Sequence, residues 1–324
     1  MIKANFYLAP DGALKQGISQ QEIDAALRSG VGLLWLDLEA PTPEDGRLLL
    51  DTFHFHPLNV EDCVTPSLTP PKVDEFDDYL FIVVHGVKHD PGAEVVETTE
   101  LDVFLGKNYV VSNHALPSPA ADQVLARCKN GARPLRRGPD FLAHELIDAL
   151  VDNILPTINE LNERSLEIED AVLKNPTNEI LGDIMNLKRS TVHLQRIMAP
   201  QRDVASRLSR EDHVVISERS QLYFRDIYDH MVRIHNLTEG LQELADSTLR
   251  TYMSAVSNRM NDVMRMLSLV ATVFLPLTLI ASIYGMNFVN FPELGWRYGY
   301  AFALGVMLLV ALGLLGYFKY RKWM

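Results

Sequence analysis

Between two long uncharged runs the sequence places Tyr284-Gly285-Met286-Asn287. Gly285 suits the left-handed backbone that commonly ends a helix. Asn287 offers an amide oxygen that accepts hydrogen bonds and carries no charge. A simple capping turn accounts for Gly285 but not for Asn287.

Other residue patterns argue against an enzyme. His54, His56, Glu61 and Asp62 lie close together without a metal-ligand spacing, and read as a surface turn before a strand. His144-Glu145 is followed by Asp148 where the zinc-protease HExxH pattern needs its second histidine. No GxxxxGK[ST] or GxGxxG precedes a helix, which leaves ATP-driven transport without support. Cys63 and Cys128 lie in no CxxC pattern, as expected of reduced thiols. The opening MIKANFYLAPDGALKQG has no apolar signal core, so secretion is not expected.

These residues must be positioned by two apolar segments. Met266–Tyr284 and Gly299–Phe318 are free of charge, and each is about the ~20 residues that a helix needs to cross hydrocarbon. Lys319, Arg321 and Lys322 follow the second span, as basic residues do on the cytoplasmic side. Tyr284, Trp296, Tyr298, Tyr300, Tyr317, Tyr320 and Trp323 sit at the span ends, where interfacial aromatics belong. Both termini are therefore expected in the cytoplasm, with the protein a multi-pass resident of the plasma (inner) membrane. The net charge of −12 is unevenly spread: the first 264 residues carry −16 and the remainder +4. An acidic body attracts cations and is a poor partner for nucleic acid.

Residues 1 to about 130 read as mixed α/β. Strand-like runs stand at Val31–Leu38, Tyr79–His85, Leu101–Leu105 and Tyr109–Ser112, and helical patterns at Ser19–Ser29 and Thr42–Phe53. Apolar residues at three- and four-residue steps predict a helix over Phe141–Leu173, a stop at Asn175-Pro176, and an antiparallel partner from Thr177 to about Leu208. From Ser217 to Tyr284 the only proline is Pro276 and the only glycine Gly240. One helix of that length is about 100 Å long and needs neighbours to be stable, most simply copies of itself.

Along its end, Asn261, Met264, Ser268, Ala271, Leu275, Thr278 and Ser282 recur in alternating steps of three and four. This stripe is smaller and more polar than the rest of the segment. It either faces water inside a protein path or lets helices approach closely; the pattern alone supports both.

The loop Tyr284-Gly285-Met286-Asn287, with Phe288 and Pro292-Glu293-Leu294, resembles the signature of the CorA family of magnesium channels. So do YFRDIYDH (Tyr223–His230), HPLNVEDC (His56–Cys63), PKVDEFDDYLFIVVHG (Pro71–Gly86), LGKNYVV (Leu105–Val111), LIDALVDN (Leu146–Asn153), SAVSNRMNDVMRML (Ser254–Leu267) and the closing YFKYRKWM. The resemblance runs the length of the chain in order. It implies an α/β cytoplasmic domain followed by a very long helix that becomes the first of two C-terminal transmembrane helices, assembled as a funnel-shaped homopentamer in membrane lipid. It implies a selectivity filter of Gly285, Met286 and Asn287, and pore-lining positions Asn261, Met264, Leu267 or Ser268, Ala271, Leu275 and Thr278. Periodicity favours Ser268, whereas the family pattern has a bulky residue at Leu267. Phe291 stands where the family loop often carries methionine, and Val289-Asn290 lies in a variable part.

The resemblance further implies that Mg²⁺ is both the transported and the regulatory ion, the latter bound between subunits at Asp90 and Asp226. The expected organisation is an α/β domain at 1–135, a helical region at 136–265, and a membrane domain at 266–324 with spans 266–285 and 299–318, loop 285–298 and tail 319–324. The leading expectation is a divalent-cation channel for Mg²⁺, with Co²⁺ and Ni²⁺ as further ions. The alternatives are a zinc transporter of the same superfamily and a non-conducting membrane sensor or assembly protein on the same fold.

Overall fold

A computed structural model describes residues 1–65, 68–88, 95–286 and 295–321. The chain divides into two units, Met1–Leu249 and Arg250–Met324.

In the first unit, local signals set the early elements. Ser19 and Glu22 close a capping box that starts α1 (Gln20–Ser29), and Gly30 ends it in the left-handed region at φ 64°. Thr42 and Asp45 do the same for α2 (Pro43–Asp51), with Pro43 in the first turn where no N–H is needed. The strands are β1 (Ile2–Leu8), β2 (Leu14–Gln16), β3 (Leu33–Glu39), β4 (Lys72–Glu75), β5 (Tyr79–Lys88), β6 (Glu97–Gly106) and β7 (Tyr109–His114). They form one sheet in the order β2-β1-β3-β7-β6-β5-β4. Only β3 and β7 pair in parallel; the other neighbours are antiparallel. The four strand-like runs read from the sequence are β3, β5, β6 and β7, with shifted ends. β1, β2 and β4 are additional, as are α3 (Pro57–Val64), α4 (Pro119–Lys129) and α5 (Arg133–Arg137).

Both faces of the central strands are covered, which explains their unbroken apolar runs. On one face Phe81, Val83, Phe104 and Val111 pack with Ile23, Leu49, Phe53, Phe55, Val60 and Cys63. Phe55 stacks on Phe104 with ring centroids 4.0 Å apart. On the other face Val84 meets α6 (Pro139–Asp152), α8 (Asn178–Arg210) and α9 (Glu218–Tyr284) through Ile147, Val204, Leu208, Ile227 and Met231.

The segment expected as one helix from Phe141 to Leu173 is two, α6 and α7 (Ile154–Lys174), parted at Asn153. Pro156 is the cause: it has no N–H for the Asp152 carbonyl and its ring crowds that group, so a new helix begins around it. Asp140 on α6 fixes the start of α9, accepting hydrogen bonds from Ser217 N at 3.2 Å and Ser217 Oγ at 2.6 Å.

Within the first unit α9 buries Phe224, Ile227, Met231, Ile234, Leu241 and Ala245, a helical face turned to the body. From Met253 to Tyr284 none of its residues is buried. The second unit holds that stretch and α10 (Gly299–Tyr320). Among the described residues, α9 and α10 are the two helices long and apolar enough to cross a membrane.

Candidate functional site

The stripe on α9 owes its position to α10. Leu269, Val273, Pro276, Leu277, Ile280 and Tyr284 are half-buried, and a groove between the helices is lined by Met266, Leu269, Val270, Val273, Phe274, Leu315 and Phe318. At roughly 100° per residue, the half-buried residues cluster about one side of α9. Asn261, Met264, Ser268, Ala271, Leu275, Thr278 and Ser282 cluster about the opposite side, and all are exposed. Leu267 is exposed too, and Ser268 lies nearer the centre of the stripe by roughly 40° on the same spacing. The face turned from α10 is therefore the small, partly polar one.

Hydroxyl geometry matters here. Ser268 Oγ donates to the Met264 carbonyl at 2.8 Å, and Thr278 Oγ1 to the Phe274 carbonyl at 2.9 Å. Each hydroxyl thus spends its hydrogen on its own helix and leaves oxygen lone pairs facing outward. Such a surface can accept hydrogen bonds from water.

At the end of α9, Gly285 N–H bonds the carbonyls of Ala281 at 3.0 Å and Ser282 at 3.2 Å, and Met286 N–H bonds Ile283 at 3.2 Å. The helix closes on itself, with Gly285 and Met286 exposed at its tip. Asn287 lies outside the described residues, as does Asp90.

Asp226 is exposed on α9 within the first unit. It stands near a group the sequence reading passes over: Asp148 and Asp152 on α6 and His230 on α9, whose ligand atoms all lie within 4.8 Å of one another. Burial pushes the Asp148 carboxyl up to about 6, helped by the charge on Asp152 and, less, by Asp226 and Glu145, and opposed by His230. A carboxyl raised by neighbouring acids in this way is relieved by a cation. Two carboxylates suit hydrated Mg²⁺, and the imidazole adds affinity for Co²⁺, Ni²⁺ or Zn²⁺. The signal was present as two i, i+4 pairs, Asp148/Asp152 and Asp226/His230, but only packing of α6 on α9 brings them together.

The histidine at position 56 serves structure. His56 caps α3, its Nδ1 accepting from Leu58 N at 3.3 Å, and Asp62 pairs with Lys72 at 2.9 Å. Cys63 and Cys128 are free and buried.

Comparison with known proteins bears on this arrangement. Residues 30–321 match the model of the CorA-like Mg²⁺ transporter protein family. The chain is 36% identical over 273 residues to the cobalt/magnesium transport protein CorA of Thermotoga maritima, covering 84% of this chain and 78% of that one. It is 34% identical over 301 residues to a putative metal ion transporter of Bacillus subtilis, YfjQ, covering 93% of each. A zinc transport protein of Yersinia enterocolitica, ZntB, is 27% identical over 296 residues, covering 90% of this chain and 88% of that one. The complete structure of the CorA magnesium transporter from Methanocaldococcus jannaschii shares the fold, with a TM-score of 0.85 at 20% identity over 100% of this chain and 99% of that one. A family match across nine-tenths of the sequence, together with full-length likeness of fold, leads to one conclusion: the chain belongs to the CorA-like Mg²⁺ transporter family.

Proposed function

We propose that this divalent metal-ion transporter, which is not an enzyme, conducts Mg²⁺, with Co²⁺ and Ni²⁺ as further ions, down the membrane potential through a pore lined by α9. The observation that carries this reading is the exposed stripe opposite α10, which runs to the Gly285-Met286 tip. With none of its last 32 residues buried, α9 needs neighbours beyond α10; four further copies around one axis would supply them and turn Asn261, Met264, Leu267 or Ser268, Ala271, Leu275 and Thr278 inward. Asn287 amide oxygens and Gly285 carbonyls at the mouth would bond the waters of an ion that sheds them reluctantly. Entry of one Mg²⁺ gains about 4.6 kcal/mol per 100 mV, twice the value for a single charge. The basic tail and the acidic body both lie in the cytoplasm on this reading, with the protein in the plasma (inner) membrane.

Uptake into liposomes by purified protein, with Mg²⁺, Co²⁺ and Zn²⁺ compared side by side, tests the proposal. Potential-driven Mg²⁺ entry is the expected result. Zinc entry without magnesium entry would favour the zinc branch, to which the likeness to the Yersinia protein and the imidazole of His230 point. No flux of any ion would leave a sensor or assembly role.

Cytoplasmic Mg²⁺ is proposed to close the pore by binding between Asp226 of one subunit and Asp90 of the next. Bodies of charge −16 repel one another, and a dication between facing acids offsets that repulsion. A ligand shifts such an equilibrium only through its differential affinity for the two states. Asp226→Asn is therefore expected to raise the Mg²⁺ concentration needed for closure severalfold, with maximal current unchanged. Superimposable inhibition curves for wild type and variant would remove Asp226 from the regulatory site.

A further inference from the structure

A buried polar cluster on β6 lies in the first unit, apart from the stripe on α9. Glu100 and Asp102 are two apart on β6, so their side chains share a sheet face. The Asp102 side chain is walled in, its residue 2% exposed, and the Glu100 side chain is only 10% exposed. Asp102 Oδ2 accepts from Asn113 Nδ2 at 2.8 Å, while Oδ1 is buried and meets no donor. Glu100 Oε2 accepts from Thr69 N at 2.6 Å. The carbonyl of the same Thr69 lies 2.7 Å from His85 Nε2; a carbonyl can only accept, so Nε2 carries the hydrogen. His85 and Glu100 are directly paired across β5 and β6. Thr69 is thus held through its N–H and its C=O by one rung of the sheet. That rung is also tied to α8, since Gln201 exchanges hydrogen bonds with the His85 backbone at 2.7 and 3.0 Å.

No cation is committed to Asp102. On α3, Cys63 faces it as a thiol whose ionisation burial pushes well up, and Asp62 lies beyond. Lys72 is engaged by Asp62 at 2.9 Å and Asp74 at 3.1 Å. From β5 comes His85, whose Nε2 also lies 3.5 Å from Glu100 Oε2, and from α8 His193, which meets Thr98 Oγ1 at 3.4 Å. Burial, and then the charge of Glu100, pushes the Asp102 carboxyl up to about 8. Two carboxylates two apart on one covered strand face cannot both ionise cheaply, so one proton stays.

We propose that Glu100 and Asp102 form an internal proton-binding site, whose single proton, carried on Asp102 Oδ1, keeps Thr69 clamped to the β5–β6 rung. When the proton leaves to bulk water, two carboxylates occupy one buried pocket and the Thr69 clamp opens.

The sign follows from linkage: a carboxyl with a raised folded value binds a proton on folding, so stability falls as pH rises from about 4 to about 8 and is flat above. Hydrogen exchange on the full chain in detergent reads the clamp without measuring flux. After correction for intrinsic rates, the peptide containing Thr69 is expected to exchange about 10-fold faster at pH ~9 than at pH ~7 in wild type. Asp102→Asn keeps an acceptor for Asn113 and presents an N–H toward Glu100, so it should stay protected at both. Glu100→Gln, which keeps the acceptor for Thr69 N, should do the same and serves if the first variant fails to fold. Equal protection of wild type at both values, or the same pH-dependent loss in both neutral variants, would overturn the proposal.

Discussion

Asn287→Ala is expected to lower the initial rate of Mg²⁺ uptake in liposomes by at least about 100-fold, the scale on which loss of one preorganised oxygen from a site of charge stabilisation is felt. The effect is large because symmetry would multiply it: in a five-fold assembly one substitution removes five acceptors from a single ring. Folding should not suffer. The helix end at Gly285 is closed by its own bonds to Ala281 and Ser282, so the side chain at 287 is not needed to cap it. The substitution introduces no charge. Size-exclusion behaviour and thermal stability of the purified variant should therefore match wild type. Asn287→Asp makes a useful contrast. A carboxylate ring would bind a dication more tightly and slow its exit, since conduction needs binding weak enough to leave. Normal uptake by Asn287→Ala would remove the amide from the filter and leave Gly285 carbonyls alone at the mouth.

Replacing Met264 by Ser is expected to raise basal current by about 10-fold or more in the absence of cytoplasmic Mg²⁺ changes, because a hydrophobic constriction gates by excluding water. Met264 and Leu267 are 56% and 61% exposed although both are large and apolar. They lie at the N-terminal end of the stripe, one and two turns from Asn261. Five such side chains around an axis would leave a neck too apolar to stay wet. A polar replacement lets water stand in the neck, and ions follow. Ser268 offers the discriminating pair: if it faces the axis, Ser268→Leu should lower current and Leu267→Ser should change little. If Leu267 faces the axis, the two effects exchange. Currents recorded at matched surface expression decide between them. No rise in either Met264→Ser or Leu267→Ser would place the gate elsewhere, or rotate the stripe away from the axis.

Much of this protein is written in local sequence. Chain length without charge marks α10 and the end of α9 as spans, because a membrane tolerates no unpaired charge over that distance. With only Gly240 and Pro276 to interrupt it, Ser217–Tyr284 reads as one helix, and Pro276 is absorbed within it. β3, β5, β6 and β7 are legible because strands buried on both faces carry uninterrupted apolar runs. The stripe on α9 is legible as a period of three and four. Other features are not local. KVDE at β4 says nothing of a strand until Val73 meets Ile82 across the sheet. The parallel pairing of β3 with β7 joins residues more than seventy apart, and no short motif specifies it. Asp148, Asp152 and His230 form a group only because α6 packs on α9. Glu100 and Asp102 read in ETTELDV as an ordinary polar alternation facing water. Their meaning reverses in the folded chain, where α3 and Thr69 cover that face. Sequence periodicity tells which residues share a side of an element, but what that side meets, solvent, lipid or another carboxyl, is set by packing between distant segments.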